Sequence, residues 1–377
     1  MEIYLDNAAT TRVCAEAADA AYKVMTEQYG NPGSTHTMGR EARAVLDDAR
    51  RKLAEAFGCA PREVFFTSCG TESDNWAILE GAYAQRRVGK HIISSAVEHD
   101  AVHQPLEKLA REGYEITLLA PDEKGAIPVE AVREALRSDT ALVSLMMVNN
   151  ETGAVTDIAG VARALRAAKS RALFHTDAVQ GFMKEPFSAK TLGADMISVS
   201  GHKIHAPKGI GALYIRQGVK IAPHILGGGQ ESGMRSGTEP LPQIAAFGEA
   251  ARIAKAEMPE VNRRLAALRE QCVQTLTETV PGIVFLGGGS AHILSLSLPG
   301  YRSEVLMSYL EARGIYVSKS SACKRGRRSH VLEAIGTPDR VIDGALRVSF
   351  SRYTTAEDCA ALCEALAAAK QELYPAL

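Results

Sequence analysis

Strand signals and helix signals alternate along much of this chain, and that alternation constrains the fold more than any other feature. Short apolar runs rich in β-branched residues, which are typical of buried strands, are each followed by a segment with helical periodicity. The strand–helix pairs between residues 91 and 168 are 91–96 with 100–112, 115–119 with 129–136, and 141–148 with 158–168. Units of this kind build parallel sheets with helices on both faces. We therefore predict an α/β fold.

A single lysine follows another predicted strand, at residues 195–200. Gly201 allows a tight exit from that strand, and Lys203 lies just beyond it, next to His202 and Ser200. A lysine held out of water at a strand end has a lowered amine pKa and can form a Schiff base with a carbonyl compound. Taken alone, such a residue would more often be a solvated surface lysine. Residues upstream favour the catalytic interpretation.

The first of these upstream features is Asp177, which ends a predicted strand 26 positions before Lys203. An aspartate at a strand end often caps the following helix. Ligand groups in α/β sheets also lie at strand ends, however, and a pyridoxal phosphate enzyme needs a carboxylate near the ring nitrogen. Gln180 is close enough in sequence to donate to the hydroxyl of the same ring. We therefore predict pyridoxal 5′-phosphate as the cofactor.

The second upstream feature is the segment 65–75, which predicts a strand, a glycine-containing turn and the start of a helix. Backbone amides at a helix N-terminus, together with serine and threonine hydroxyls, form an anion site suited to a phosphate. Gly70 removes the side chain that would block close approach. The sequence from Thr71 to Asp74 is also an ordinary helix-capping sequence, so the phosphate interpretation depends on Asp177 and Lys203.

Motifs of one known family occur in order along the chain. They are residues 5–11, 31–36, 67–75, 98–99, 149–153, 175–180, 200–211, 227–231, 235–238 and 320–323. Together they resemble a cysteine desulfurase of the class V aminotransferase group, within fold type I of the pyridoxal phosphate enzymes, from about residue 3 to about residue 355. The resemblance implies a large domain with a mainly parallel, seven-stranded type of sheet and a smaller α/β domain. We expect the large domain to span 13–250 and the small one to combine 1–12 with 251–377.

The resemblance implies a role for each residue around the cofactor ring. Lys203 matches the Schiff-base lysine, Asp177 the partner of the ring nitrogen, and Gln180 the residue that bonds the ring oxygen. His99 matches the histidine that stacks on the ring and moves protons, and Asn150 lies beside the ring. Lys203, His99 and the thiol discussed below are the expected catalytic residues.

The resemblance also assigns the phosphate and the substrate. Residues expected around the phosphate are Gly70, Thr71, Ser200 and His202. Thr238 resembles a residue that reaches the phosphate of a neighbouring subunit, which implies a homodimer. Arg352 is expected to hold the carboxylate of an L-cysteine substrate, since a guanidinium binds carboxylates bidentately, and Asn31 is assigned to substrate binding.

Cys323 indicates which class V activity is present, because a desulfurase needs a thiolate that attacks the substrate sulfur. The resemblance implies that Cys323 carries the sulfur as a persulfide and passes it to an acceptor protein for iron–sulfur cluster assembly, thio-cofactors or tRNA thiolation. Four cations follow it in the sequence: Lys324, Arg325, Arg327 and Arg328. They would favour the thiolate, or they form an exposed solvated run. As a hypothesis, this basic loop binds an acidic or nucleic-acid-associated acceptor.

Three alternatives stay open. Cys69, in the phosphate-binding turn, could compete for the nucleophile role, although we expect it to be structural. A selenocysteine lyase would share the fold and act on a selenium substrate. A catalytically idle homologue could serve as a scaffold for sulfur-carrier partners, but Lys203, Asp177, His99 and Cys323 argue against that.

Composition excludes several classes of function. The formal net charge is −1, which argues against direct nucleic-acid binding or membrane binding of the whole protein. Seven cysteines occur without metal-ligand spacing, so we expect reduced thiols and no metal site. No signal peptide or apolar run of membrane-spanning length is visible, and the cytoplasm is the expected location.

Overall fold

The computed structural model describes residues 2–319 and 328–375, so Cys323 and the cations at 324–327 lie outside the described residues. In those ranges the strands are β1 Ile3–Tyr4, β2 Val64–Thr67, β3 His91–Ser95, β4 Glu115–Leu119, β5 Thr140–Ser144, β6 Leu173–Asp177, β7 Met196–Ser200, β8 Gly211–Ile215, β9 Val284–Leu286, β10 Ile293–Ser297, β11 Ile315–Tyr316, β12 Ser318–Lys319 and β13 Ala345–Ser349. The α-helices are α1 Ala15–Thr26, α2 Thr37–Phe57, α3 Gly70–Ala84, α4 Asp100–Arg111, α5 Val129–Ala135, α6 Ile158–Ala167, α7 Ala189–Leu192, α8 Leu241–Thr279, α9 Ser303–Glu311, α10 His330–Ala334, α11 Asp339–Ile342 and α12 Ala356–Glu372.

The largest sheet in the described ranges has seven strands in the order β2-β8-β7-β6-β5-β3-β4. Only β8 runs antiparallel to its neighbours; the other paired strands of this sheet are parallel. Successive residues of β5 point to opposite faces, so Leu142 packs in one apolar cluster with Trp76 and Val143 in another with Phe174. The predicted α/β fold with a mainly parallel sheet of seven strands is confirmed.

One predicted strand boundary differs from the observed one. The regular strand within the apolar run 141–148 ends at Ser144, although Leu145 and Met147 still donate their amides to the carbonyls of His175 and Asp177 in β6. Helix α8 runs from Leu241 to Thr279 and contains Gly248. A Cβ at Gly248 would lie 2.7 Å from the Cα of Ala49 in α2, so glycine at this position lets the two helices approach closely. An apolar run indicates that a segment is buried. It does not show whether the segment forms a regular strand of a sheet or only packs by its side chains.

Helix α8 packs in two hydrophobic cores. Its first half, including Phe247, packs with α1 and α2 in the core beside the large sheet. Its second half, including Leu265 and Leu276, packs with Leu5 and α12 in a second core. That core covers an antiparallel sheet ordered β12-β13-β10-β9, next to the parallel pair β1–β11. The division into 13–250 and 1–12 with 251–377 stays a prediction. Within the described residues, no helix is both long and apolar enough to cross a membrane.

A buried ion pair joins three separate parts of the large sheet region. Arg50 of α2 forms two hydrogen bonds with Glu231, with Nη2–Oε1 at 2.6 Å and Nη1–Oε2 at 2.8 Å. The same Glu231 carboxylate accepts the backbone amide of Phe66 in β2 at 2.9 Å. Arg50 also donates to the carbonyl of Val64. The Glu231 side chain is only 3% exposed, so nothing from solvent replaces these bonds.

We predict that Glu231→Gln lowers the free energy of unfolding by about 3 kcal/mol, because it leaves the Arg50 charge buried and unpaired. The matched control is Glu260→Gln, which breaks the Arg263–Glu260 pair, whose side chains are 74% and 71% exposed, and should change stability by less than about 1 kcal/mol. Urea denaturation followed by circular dichroism measures both. Equal losses in the two variants would contradict the structural role of Glu231.

Candidate active site

A cavity of about 440 Å³ lies at the carboxyl ends of β3, β6 and β7, where open α/β sheets place their ligands. The structure brings nine of the ten predicted cofactor-binding residues to its wall. They are Gly70, Thr71, His99, Asn150, Asp177, Gln180, Ser200, His202 and Lys203. Each follows a strand or begins a helix, so the parallel topology gathers residues that lie far apart in sequence.

Three other predicted site residues lie elsewhere. Thr238 and Asn31 are exposed and do not line this cavity. The Asn31 side chain accepts the backbone amide of Gly33 and shapes its own turn. The third is Arg352, discussed below. The assignment of Thr238 concerns a neighbouring subunit, which a single chain does not test, and the assignment of Asn31 to substrate binding stays a prediction.

Lys203 ends a short 3₁₀ turn, Gly201–Lys203, that follows β7 directly. Its Nζ donates to the carbonyl oxygens of Ala8 at 2.6 Å and Ala9 at 2.8 Å. These carbonyls belong to the N-terminal segment, which is itself attached to the turn because Thr11 donates through its amide and hydroxyl to the carbonyl of His202. The amine is therefore held inside the cavity by backbone acceptors.

Four buried carboxyl groups line the same cavity: Asp74, Glu98, Glu151 and Asp177. Burial raises the pKa of Asp177, against the opposing effects of the Val179 amide hydrogen bond and of His99 and Lys203. Burial raises the pKa of Glu98 to about 8 and, together with Asp177, raises the pKa of Asp74 far above its usual range. The part of the cavity next to these carboxyl groups therefore favours a ligand group that is positively charged or that shares a proton with one of the carboxyl groups.

His99 is fixed in orientation by the helix that it caps. It precedes α4, and its Nδ1 accepts the backbone amide of Ala101 at 3.1 Å. Because Nδ1 is the acceptor, a neutral His99 ring carries its proton on Nε2. The imidazole is therefore oriented to donate this proton at the cavity wall. It also lowers the pKa of the neighbouring Asp177.

The anion-binding end of the cavity lies at the start of α3. Gly70 begins α3, whose first backbone amides point toward the cavity, and a Cβ at Gly70 would lie 2.6 Å from Cγ2 of Val179. The buried Ser200 hydroxyl has no hydrogen-bond partner among the described residues, which a phosphate oxygen would supply. Burial, with Lys203, lowers the pKa of His202 to about 4, so this ring stays neutral. The residues present therefore fit a phosphorylated, cationic-ring cofactor of the pyridoxal phosphate type.

Arg347 and Arg328 line this cavity, whereas the predicted Arg352 lines a neighbouring one. Arg347 of β13 is buried and donates to the carbonyl of Asn150 at 2.9 Å and to Asp6 at 3.0 Å. Arg352 lies past the strand end and lines a second small cavity of about 40 Å³, which Lys203 also lines. Its Nη2 donates to Glu257 at 2.6 Å. The assignment of Arg352 to the substrate carboxylate stays a prediction.

The sequence interpretation missed further cavity residues. Glu98 lies in a recognised motif and Asp74 in the predicted capping sequence, yet neither was assigned a role. Cys69 lines the cavity, as does Arg328. Of the predicted basic loop, Arg328 alone is described, and it forms ion pairs with Asp339 at 2.6 Å and Asp343 at 3.1 Å. The positive charge of Arg328 is thus balanced by carboxylates of the same chain. No described group of three or more His, Cys, Asp or Glu side chains is arranged to hold a metal ion.

Comparisons with known proteins agree with this geometry. The aminotransferase class-V family model matches residues 3–362. Cysteine desulfurase IscS of Methanosarcina thermophila is 41% identical over 376 residues, covering 98% of this chain and 92% of that protein. Cysteine desulfurase 2 of Trichormus variabilis is 43% identical over 358 residues, covering 94% and 89%.

Solved structures show the same architecture. A NifS-like protein superposes with a TM-score of 0.94 at 37% identity, covering 99% of this chain and 100% of that one. The NifS-like protein of Rickettsia africae gives 0.86 at 30% identity, covering 97% and 98%. SspA, solved in complex with cysteine, gives 0.82 at 30% identity, covering 94% and 100%.

The buried Glu98 carboxyl predicts a pH-dependent stability. Its pKa rises from 4.5 to about 8 on folding, so its stabilising contribution is complete below about pH 4.5 and is lost as the pH rises through 8. Glu98→Gln cannot ionise. Relative to the wild type, it should therefore gain on the order of 4 kcal/mol of unfolding free energy between pH 5 and pH 8.

Denaturant unfolding of the purified protein at several pH values measures this difference. Glu123→Gln, at an exposed position, is the control and should follow the wild type across the range. A constant difference between Glu98→Gln and the wild type would show that Glu98 ionises as readily in the folded protein as in the unfolded one.

Proposed function

This chain belongs to the aminotransferase class-V family as a cysteine desulfurase, and from that premise we propose how its residues remove sulfur from L-cysteine and release L-alanine. The observation that carries the proposal is the position of Lys203, whose amine lies in one cavity with Asp177, His99 and the anion-binding end. Similarity to cysteine desulfurases over nearly the whole chain supports the same activity.

Pyridoxal 5′-phosphate is the proposed cofactor. When bound, it supplies an aldehyde that joins amines and a ring that withdraws electrons from the carbon next to the substrate nitrogen. Its proposed phosphate ligands are the Ser200 hydroxyl, Thr71 and the amides at the start of α3. Asp177 would keep the ring nitrogen protonated, with Gln180 at the ring oxygen and His99 against the ring face.

Arg347 is the proposed partner of the substrate carboxylate. Its guanidinium carries five donors, and the bonds to Asp6 and to the Asn150 carbonyl fix its plane while other donors remain for a ligand. Arg352, predicted from the sequence to hold the carboxylate, donates one hydrogen bond to Glu257 in a neighbouring cavity that Lys203 also lines, and it is the alternative partner. Binding the carboxylate at Arg347 orients L-cysteine with its amine toward Lys203.

Lys203 and His99 are the proposed proton carriers. Lys203 takes the proton from the Cα of the substrate, and the Ala8 and Ala9 carbonyls keep its amine directed into the cavity. His99 presents its Nε2 edge, which exchanges a proton with the substrate thiol. Both groups are half-buried and line one cavity, so a substrate bound there can contact both of them.

Cys323 is the proposed nucleophile. Its thiolate attacks the substrate sulfur and forms a new S–S bond, while the C–S bond breaks and its electron pair stays with the three-carbon fragment. Two proton transfers convert that fragment to L-alanine, and Cys323 retains the sulfur as a persulfide. The acceptor protein takes this outer sulfur in a further S–S exchange.

We also propose a homodimer in which Thr238 of one subunit completes the phosphate site of the other. Thr238 is exposed and lies outside its own cavity, which suits a residue that acts on a partner. Thr238 lies on the same loop as Arg235. The ion pair between Arg235 and Glu72, at 2.8 Å, attaches this loop to the first turn of α3. The loop is thereby held beside the anion-binding end.

The nucleophile assignment predicts different outcomes for two cysteines. Cys323→Ala should keep the visible absorbance of the bound cofactor and lose at least about 100-fold in alanine formation from L-cysteine, because the attacking thiolate is gone. Cys69→Ala is the matched control and should retain activity within a few-fold. Alanine release and persulfide labelling measure both. Sulfur transfer by Cys323→Ala, or its loss in Cys69→Ala alone, would refute the assignment.

The two arginines give a second prediction. Arg347→Gln should raise KM for L-cysteine roughly 10- to 100-fold, the effect of losing a charge-assisted bond to a carboxylate. Arg347→Lys should recover part of that loss. Arg352→Gln, the control, should leave KM within about threefold because its partner is Glu257. Steady-state alanine release separates KM from kcat, and the opposite pattern would restore the original assignment of Arg352.

A further inference from the structure

A second buried lysine lies next to the active site and has no role in the reaction described above. Lys184 follows β6 in the turn that contains Gln180, and its side chain is buried. Its Nζ donates to Oε1 of Gln180 at 2.9 Å. Burial, together with the positive charges of Lys203 and Arg347, lowers the pKa of Lys184 to about 7. A buried lysine is costly, so its position calls for a physical reason.

Lys184 fixes the orientation of a side-chain amide. In its protonated form the Lys184 amine donates hydrogen bonds and accepts none, so it faces the oxygen of the Gln180 amide. On the other side, the Ala8 carbonyl can only accept, and it receives Nε2 of Gln180 at 2.8 Å. The two partners therefore select one of the two amide orientations. In that orientation one N–H of Gln180 Nε2 bonds the Ala8 carbonyl. The second N–H is carried by the same side chain, which lines the active-site cavity.

The backbone around Lys184 is held by several contacts. Met183, directly before it, has a φ of +57°, which side-chain-bearing residues rarely adopt and which persists where the surroundings enforce it. A Cβ at Gly181 would lie 2.4 Å from Sδ of Met147, so the turn packs tightly on the loop after β5. From α8, Asn262 donates to the Lys184 carbonyl at 2.6 Å. Strand, loop and helix together thus place this lysine.

Several charged or titratable groups surround Lys184. They come from the turn itself, the segment after β7, the loop before β10 and β13, and they are Glu185, Lys203, His205, His292 and Arg347. Burial lowers the pKa of His205 to about 4 and the pKa of His292 to about 3, so both rings are neutral at physiological pH. His202, whose pKa is lowered to about 4, is a further neutral neighbour, so Lys203 and Arg347 are the cationic groups near Lys184 and Glu185 the acidic one. The hydrogen bond of the Lys184 amine goes to Gln180 Oε1.

We propose that Lys184 is a positioning residue that locks the Gln180 amide with its N–H group toward the ring oxygen of the cofactor. This inference rests on the proposed function, because it concerns the same pyridoxal phosphate site. An N–H donor stabilises an oxygen that carries negative charge. An amide free to rotate would present its own oxygen part of the time and disfavour that charge.

The test is a pH titration of the visible absorbance of the holoenzyme. In Lys184→Met, the midpoint should move upward by about one pH unit, the size expected when a hydrogen bond to the charged form is lost. Lys184→Arg keeps a donor and should stay close to the wild type. Lys190→Met, at an exposed position on α7, is the matched control and should leave the midpoint unchanged.

A double-variant comparison shows whether Lys184 acts through Gln180. Gln180→Ala should raise the midpoint, and Gln180→Ala with Lys184→Met should raise it no further. An unchanged midpoint in Lys184→Met, or shifts that simply add, would overturn the proposal. If Lys184→Met does not fold, Lys184→Thr, which is too short to reach Gln180, is subject to the same criterion. A wild-type protein without any visible band would instead refute the proposed cofactor.

Discussion

The hydrogen bonds from the Lys203 amine to two backbone carbonyls hold the whole site together. Those carbonyls, of Ala8 and Ala9, come from a segment that leaves the small sheet and crosses the carboxyl ends of the large one. The Ala8 carbonyl also accepts Gln180, and Asp6 accepts Arg347. One short N-terminal stretch therefore positions the reactive amine, the proposed ring-oxygen donor and the proposed carboxylate partner at the same time.

The site keeps several ionisable groups away from water, although ionised groups are more stable in water. Four carboxyl groups and Lys184 are buried in this part of the protein, and the raised pKa values of Asp74, Glu98 and Asp177 and the lowered pKa of Lys184 report desolvation costs. The surrounding fold offsets that cost with a sheet whose central strands are buried on both faces and with an apolar core on each side. Catalytic sites typically combine such costly buried ionisable groups with a stably packed surrounding fold.

Much of this arrangement could be predicted from the sequence. Alternating strand and helix signals determined the α/β class, and residues placed at strand ends, such as Asp177 and Lys203, do line one cavity. Arg347 was missed because two arginines share one motif and the strand register, which decides the face, is not visible in composition. The role of Ala8 was also hidden, since a backbone carbonyl leaves no residue signature. Lys184 resembles any other lysine until its burial is known.

Covalent labelling of the reactive amine tests the central claim most directly. Borohydride reduction of the pyridoxal phosphate-loaded protein fixes the cofactor to whichever amine binds its aldehyde, and peptide mapping then identifies the residue. We expect a pyridoxyl group on the peptide that contains Lys203 and on no other. A label on Lys184, its buried neighbour, or the absence of any label would contradict the assignment of Lys203 as the Schiff-base lysine.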